Sequence, residues 1–280
     1  MTTIALKLGL TRRHILPGFG LSLGFTLFYL TSLVLVPLLA LLIRPFSLGL
    51  EGFWNAIATP RVLAALRLSF GMALAAAAID AVFGFVIAWV LTRYRFPLKG
   101  LLDAVIDLPF ALPTAVAGIA LSTLYAPTGW IGSLLIPYGI RIAYTPWGVL
   151  VAMTFIGLPF TVRTLQPVLS EIGLDVEEAA ATLGATRLQT IWRVVLPMLL
   201  PGLLAGAAMA FARGMGEYGS IIFIAGNIPG LSEIAPLLIV TKLEEFDYAG
   251  AAAIGVVMLA ASFVMLLALN GLQYWAEKRR

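Results

Sequence analysis

The chain has 280 residues, of which 61% are hydrophobic and only 11% charged, with a formal net charge of +4. Soluble domains carry about 25% charged residues, so the composition predicts an integral, all-α membrane protein rather than one with a water-facing surface. The lack of cysteine excludes disulfides, thiolate nucleophiles and Cys-based metal sites. Lysines and arginines flank apolar segments instead of clustering on one face, which argues against a nucleic-acid partner.

Lys7, Arg12 and Arg13 precede a hydrophobic run, and His14 reads as a solvated or interfacial side chain. The run 19–43 is too long for the h-region of a signal peptide, which has roughly 7–15 residues. At about 1.5 Å per residue it reaches about 37 Å, enough to span a bilayer with some tilt. It predicts a first, uncleaved transmembrane helix. The same window argument predicts five more spans, at 66–91, 101–125, 147–169, 198–224 and 249–272. Residues 44–65, with Pro45, Gly49, Trp54 and Pro60, read as an external loop, and 126–146 as an interfacial one.

Cation placement sets the orientation. With the N-terminus inside, one face collects Lys7, Arg12, Arg13, Arg93, Arg95, Lys99, Arg163, Arg187, Arg193, Lys278, Arg279 and Arg280. The other collects Arg44, Arg61, Arg67, Arg141 and Lys242. The excess predicts that both termini are cytoplasmic.

Between the fourth and fifth spans lies the polar stretch Asp175 to Pro197, which reads as two short helices. Asp175 is the expected N-cap of the first, with Glu178 three residues on to complete a capping box. Glu177 and Glu178 suit the positive end of the helix dipole, and Gly184 suits a left-handed position after its C-terminus. Thr186 and Gln189 repeat the capping-box spacing, and the second helix is expected to stop near Pro197. A surface-bound amphipathic hairpin is the competing reading. Its acidic first turn would be repelled by anionic lipid, so docking into a partner groove is favoured.

Glu178-Ala179-Ala180, then Gly184, Val194 and Leu196-Pro197 at their spacing, resemble the EAA loop of ABC importer permease subunits. The family pattern has Ile where this chain has Val194. The resemblance implies a type I importer fold of six transmembrane helices, with 170–197 as a cytoplasmic coupling hairpin. It also implies that Glu177 to Ala180, Gly184, Val194, Leu196 and Pro197 meet an ATPase. No GxxxxGK[ST] sequence occurs in the chain, so it has no P-loop of its own.

Gly214, Gly216 and Gly219 form a formal GxGxxG, but no strand precedes them and the sequence is rejected as a dinucleotide site. Within a span they permit close packing or a local distortion. Gly20/Gly24 and Gly202/Gly206 read as small-residue packing pairs. Arg213 and Glu217, four apart within the fifth span, would each cost about 2.5–3.5 kcal/mol at mid-bilayer and should face protein or water. Two readings stay open: a mutual ion pair that neutralises both charges, or an arginine that lines an anion pathway while Glu217 holds it. Asp80 is expected to make an interhelical hydrogen bond or salt bridge, and Thr114, Tyr218 and Ser220 are candidate donors to an anion.

Asp107 to Thr114, Arg213 to Ser220 and Ile222 to Pro229 together resemble permease subunits of sulfate/thiosulfate ABC importers, the T-type subunit in particular. That resemblance implies a bacterial inner-membrane protein in contact with lipid and paired with a second, W-type permease. It further implies two ATPase subunits that hold ATP and Mg, and a periplasmic sulfate-binding protein. No cofactor is expected in this chain. A molybdate or tungstate permease subunit is the alternative, and a secondary anion transporter a more distant one, since it would need internal repeats and coupling-ion groups.

Overall fold

The computed structural model describes the backbone of residues 18–278 and the side chains of 18–274. Lys7, Arg12, Arg13, His14, Arg279 and Arg280 lie outside the described residues. Among those described, every regular element is helical, as the composition predicts.

Helix α1 runs Phe19–Ile57 and is exposed along most of its length, with Pro45 buried. It packs chiefly on the last helix, where Leu41 approaches Gly255 and the Arg44 guanidinium sits 5.7 Å over the Tyr248 ring. Here the expected external loop at 44–65 is corrected. Arg44–Leu48 is a 3-10 turn, Gly49–Ile57 is α-helical, and α2 already begins at Pro60. Pro45 and Pro60 occupy first-turn positions, where the missing N–H is no loss and proline starts a helix instead of breaking one.

Three helices form the core: α2 (Pro60–Arg93), α7 (Pro146–Glu171) and α9 (Arg187–Met215). Thr59 and Thr145 cap the first two, accepting from Val62 N–H and Trp147 N–H. The buried stripe of α2 is built of small residues, Ala65, Ser69, Ala73, Ala76, Asp80, Gly84 and Ala88, so its neighbours approach closely. A Cβ at Gly84 would sit 2.7 Å from Thr161 Cγ2, and one at Gly206 would sit 3.0 Å from Thr161 Cα. Gly202 likewise packs on Val168 of α7, whereas Gly20 and Gly24 face open space.

Two expected spans are interrupted. The third is three pieces, α3 (Lys99–Ile106), α4 (Leu108–Ala111) and α5 (Thr114–Tyr125), because Pro109 and Pro113 withhold the N–H groups that a continuous helix needs. The fifth stops at Met215 and resumes as α10 (Gly219–Ala225) after the break at Gly216. Five described helices are long and apolar enough to cross a membrane, with Thr114–Tyr125 a shorter apolar one. Short turns including α6 (Gly132–Leu135) connect α5 to α7, and Trp130 there is exposed. Helix α11 (Ala235–Glu244) and the long α12 (Tyr248–Lys278) complete the chain. On the α11 side, Glu233 is buried and takes two hydrogen bonds from Arg61, at 2.8 and 2.7 Å. Ser69 Oγ accepts from Ala235 N–H at 2.8 Å, tying the same loop to α2.

Candidate functional site: a docking hairpin and an open charged face

The first helix of the hairpin, α8, spans Leu174–Thr182. Its N-cap is Gly173 and not Asp175, which lies inside the first turn; Asp175 and Glu177 therefore act on the dipole, with no side-chain cap. Its other end is a Schellman motif, with Gly184 N–H donating to Ala181 O and Ala185 N–H to Ala180 O, each at 3.0 Å. Gly184 has φ +80°, the left-handed conformation its position requires. Two residues later the capping box forms as its spacing predicts. Gln189 N–H donates to Thr186 Oγ1 at 3.3 Å and Thr186 N–H to Gln189 Oε1 at 2.8 Å.

The second helix does not stop at Pro197. It passes through a π turn at Ile191–Val195, where Leu196 N–H donates to Ile191 O, and becomes the fifth span without a break. The wider turn shifts the hydrogen-bond register just before Pro197, which enters as a first-turn residue and disturbs nothing. The second helix of the hairpin and the fifth span are therefore one continuous helix, Arg187–Met215.

A second connection was not legible in the motif. Arg93, at the end of α2, donates to Glu177 Oε1 at 2.8 Å and to Ile172 O at 3.1 Å, while its guanidinium lies 5.6 Å over Trp89. Glu178, Ala179 and Gly184 stay exposed, Ala180 is buried, Val194 and Leu196 are half-buried and Pro197 is exposed. Leu183, Leu188 and Trp192 are exposed apolar side chains on the same hairpin. A groove of about 400 Å³ runs beside it, lined by residues including Arg93, Tyr94, Glu178 and Arg187. The hairpin thus has capped helix ends, apolar tips that point outward and links to two core helices.

The second constellation is the break after α9. Arg213 Nη1 donates to Glu217 Oε2 at 2.6 Å; Glu217 is 2% exposed and the arginine side chain 32%. The other Glu217 oxygen accepts Ser220 N–H at 2.9 Å and Ser220 Oγ–H at 3.0 Å. The buried carboxylate is thus fully paired and holds α10 to α9. Ser220 is buried and its hydroxyl is taken by Glu217, so it supports the pair and presents no donor to an anion. Tyr218 is exposed at the break, and Thr114 packs beside Gly219. A Cβ on Gly118 would fall 2.7 Å from Ser220 Cα, so α5 touches the backbone of α10 directly. That close approach is what the glycines here provide.

Asp80 corrects its expectation. It is wholly buried beside Gly157, and neither carboxylate oxygen has a hydrogen-bond partner among the described residues. It stands apart from the open face that carries Arg213.

The side chains missed by sequence reasoning surround Arg163. Counted there with one membrane face, it lies two turns inside α7 and uses every guanidinium N–H. Nε and Nη2 reach the Asp107 carboxylate at 2.8 and 2.5 Å, and Nη1 reaches Asp103 Oδ1 at 2.8 Å and Gln166 Oε1 at 2.6 Å. Nη2 also donates to Asp103 O at 2.9 Å. The available signal was a cation eight residues inside the end of α7. At the end of α11, Lys242 pairs with Glu245 at 3.0 Å and Asp247 at 3.2 Å. Its hydrogen bond to Glu245 holds the ammonium pKa above its ordinary value, against the opposing effect of burial.

Comparison with known proteins agrees with this architecture. The family model described as binding-protein-dependent transport system inner membrane component matches residues 80–280. The chain is 53% identical over 257 residues to the sulfate transport system permease protein CysT of Synechococcus elongatus, covering 92% of each. To the protein of the same name from Escherichia coli K12 it is 49% identical over 261 residues, covering 93% of this chain and 94% of that one. Among solved structures, a bacterial ABC transporter involved in import of the acidic polysaccharide alginate superposes with a TM-score of 0.74 at 17% identity, covering 91% of this chain and 94% of that one. The MetNI methionine ABC transporter gives 0.59 at 17% identity, covering 77% and 96%. These two share the fold.

Proposed function

The chain belongs to the family of binding-protein-dependent transport system inner membrane components, and from that membership we propose the part it takes in transport. It is the membrane-spanning permease subunit of an ATP-driven sulfate importer, a transport subunit and not an ATPase. The observation that carries the substrate is the close similarity, across nine-tenths of the chain, to permease proteins named for sulfate transport. Thiosulfate, an oxyanion of the same charge and nearly the same shape, is the expected second substrate.

In this reading the chain forms half of the pathway beside a second, W-type permease, with both termini and the hairpin in the cytoplasm. Two ATPase subunits, which hold ATP and Mg, receive Glu177 to Ala180, Gly184, Val194, Leu196 and Pro197. A periplasmic sulfate-binding protein delivers the anion at the other side. What supports the docking role is the rigid, outward-facing hairpin with its two links to the core, one through the continuous α9 and one through Arg93. ATP-driven closure of the ATPases moves α2 and α9 together and changes which side of the pathway is open. Arg213, held by Glu217 and partly open, offers the anion a positive contact on the way.

The test is labelled sulfate uptake into proteoliposomes carrying the whole complex, with thiosulfate or molybdate as competitor. Uptake that requires ATP and the binding protein and yields to thiosulfate is the expected result. Competition by molybdate alone would move the substrate, and uptake indifferent to ATP would sink the importer reading.

A further inference from the structure

The Arg163 cluster lies where a charged group has no business touching lipid. Arg163 is eight residues from the hairpin end of α7, about 12 Å at 1.5 Å per residue. Yet its side chain is 31% exposed, and those of Asp103 and Asp107 are 42% and 44%. Charges at that depth face protein or water, and in the permease reading the opening is the one that faces the pathway.

The same face continues from there to Arg213. Phe110 of α4 meets Phe160 of α7 edge to face at 5.0 Å, one turn from Arg163. Thr164, next to Arg163, donates to Met209 Sδ at 3.7 Å, and Met209 is exposed one turn before Arg213. An apolar pair and a methionine thus separate two arginine sites along one surface.

We propose that Arg163, Asp103, Asp107 and Gln166 are the inner gate of the anion pathway, a role that rests on the permease reading. In the closed form, α3 and α4 are clipped to α7 through Arg163, all of whose donors are taken. The two carboxylates occupy Arg163, and Lys99 acts on Asp103 as well, so the closed cluster offers a dianion arriving from Arg213 no free guanidinium donor. When α3 and α4 swing away, they carry both carboxylates with them and leave Arg163 free to meet the anion. The extended break at Leu112 and Pro113, between α4 and α5, supplies the joint.

The chain contains no cysteine, so D103C/Q166C places a unique pair in this subunit, at side chains that now meet at 3.2 Å. The full complex would be treated with a short bis-methanethiosulfonate and assayed for ATP-driven sulfate import, before and after reductant. The expected result is a cross-link that lowers import about tenfold or more, with recovery on reduction. A cross-linked complex that imports at the untreated rate would overturn the gate alone, as would failure to cross-link in every nucleotide state. A wild-type complex that imports no sulfate with ATP would overturn the permease reading and the gate with it. If the cysteine variant does not assemble, D103N/D107N serves: the gate requires efflux of preloaded sulfate without ATP to rise about tenfold, and a wild-type leak rate would refute it.

Discussion

Glu217 holds Arg213 at 2.6 Å from a position that is itself buried, with its second oxygen closed off by Ser220. The pair is asymmetric: the acid belongs to the core and the base to the open face. Its two members should therefore fail differently. Glu217→Ala removes three hydrogen bonds to a charged group and is expected to destabilise the purified complex by about 3 kcal/mol. Arg213→Lys keeps the charge and loses the fork that serves both carboxylate and anion. It is expected to assemble normally and to import sulfate about tenfold more slowly. Thermal unfolding beside uptake separates the two, and equal loss of stability in both variants would reduce Arg213 to a structural counter-ion.

Gly184 sits at φ +80°, and nothing lies within 4 Å of where a Cβ would project. A side chain there meets backbone strain but no neighbour in this subunit. Gly184→Ala should cost about 1 kcal/mol and leave uptake measurable. Gly184→Glu adds a charged bulk to the face offered to the ATPase, and is expected to abolish co-purification of the ATPase or to leave hydrolysis uncoupled from uptake. Normal coupling in the glutamate variant would place the docking surface elsewhere.

Arg93 makes the only described polar ties between the end of α2 and the hairpin, through Glu177 and Ile172. Arg93→Ala removes these ties and leaves the continuous α9 and the apolar packing of Ile172 and Val176. Hydrolysis by the assembled complex is then expected to persist while sulfate moved per ATP falls several-fold, and limited proteolysis should cut the hairpin sooner. A variant with wild-type stoichiometry would show that the Arg93 tie takes no part in transmitting the stroke.

Sequence reading reached what local chemistry encodes. Gly184 and the Thr186–Gln189 box are short-range patterns whose geometry follows from the backbone, and both formed as expected. Composition was enough for a helical membrane protein. The misses came from prolines and from tertiary partners. Pro60 and Pro197 were read as boundaries, but first-turn positions and a π turn made them helix members. Pro109 and Pro113 do mark breaks in an expected span, the first in the opening turn of Leu108–Ala111 and the second as the N-cap of Thr114–Tyr125. Arg163 was legible only as a cation near a membrane face, since Asp103 and Asp107 lie about sixty residues earlier and nothing in the spacing joins them.

Asp80 supplies the sharpest remaining contrast between stability and use. Both its oxygens are buried without a partner among the described residues, pressed against Gly157 where α2 meets α7. A buried polar group left unsatisfied costs about 1–3 kcal/mol, so nothing in this conformation repays the carboxyl. Asp80→Ala leaves only a small cavity and is expected to raise the unfolding temperature of the complex. If uptake is unchanged as well, the residue is a tolerated defect. If the variant is more stable but transports less, the carboxyl finds its partner in another state of the cycle, when α2 and α7 have shifted. A fall in stability would contradict the absence of a compensating bond here and sink both interpretations.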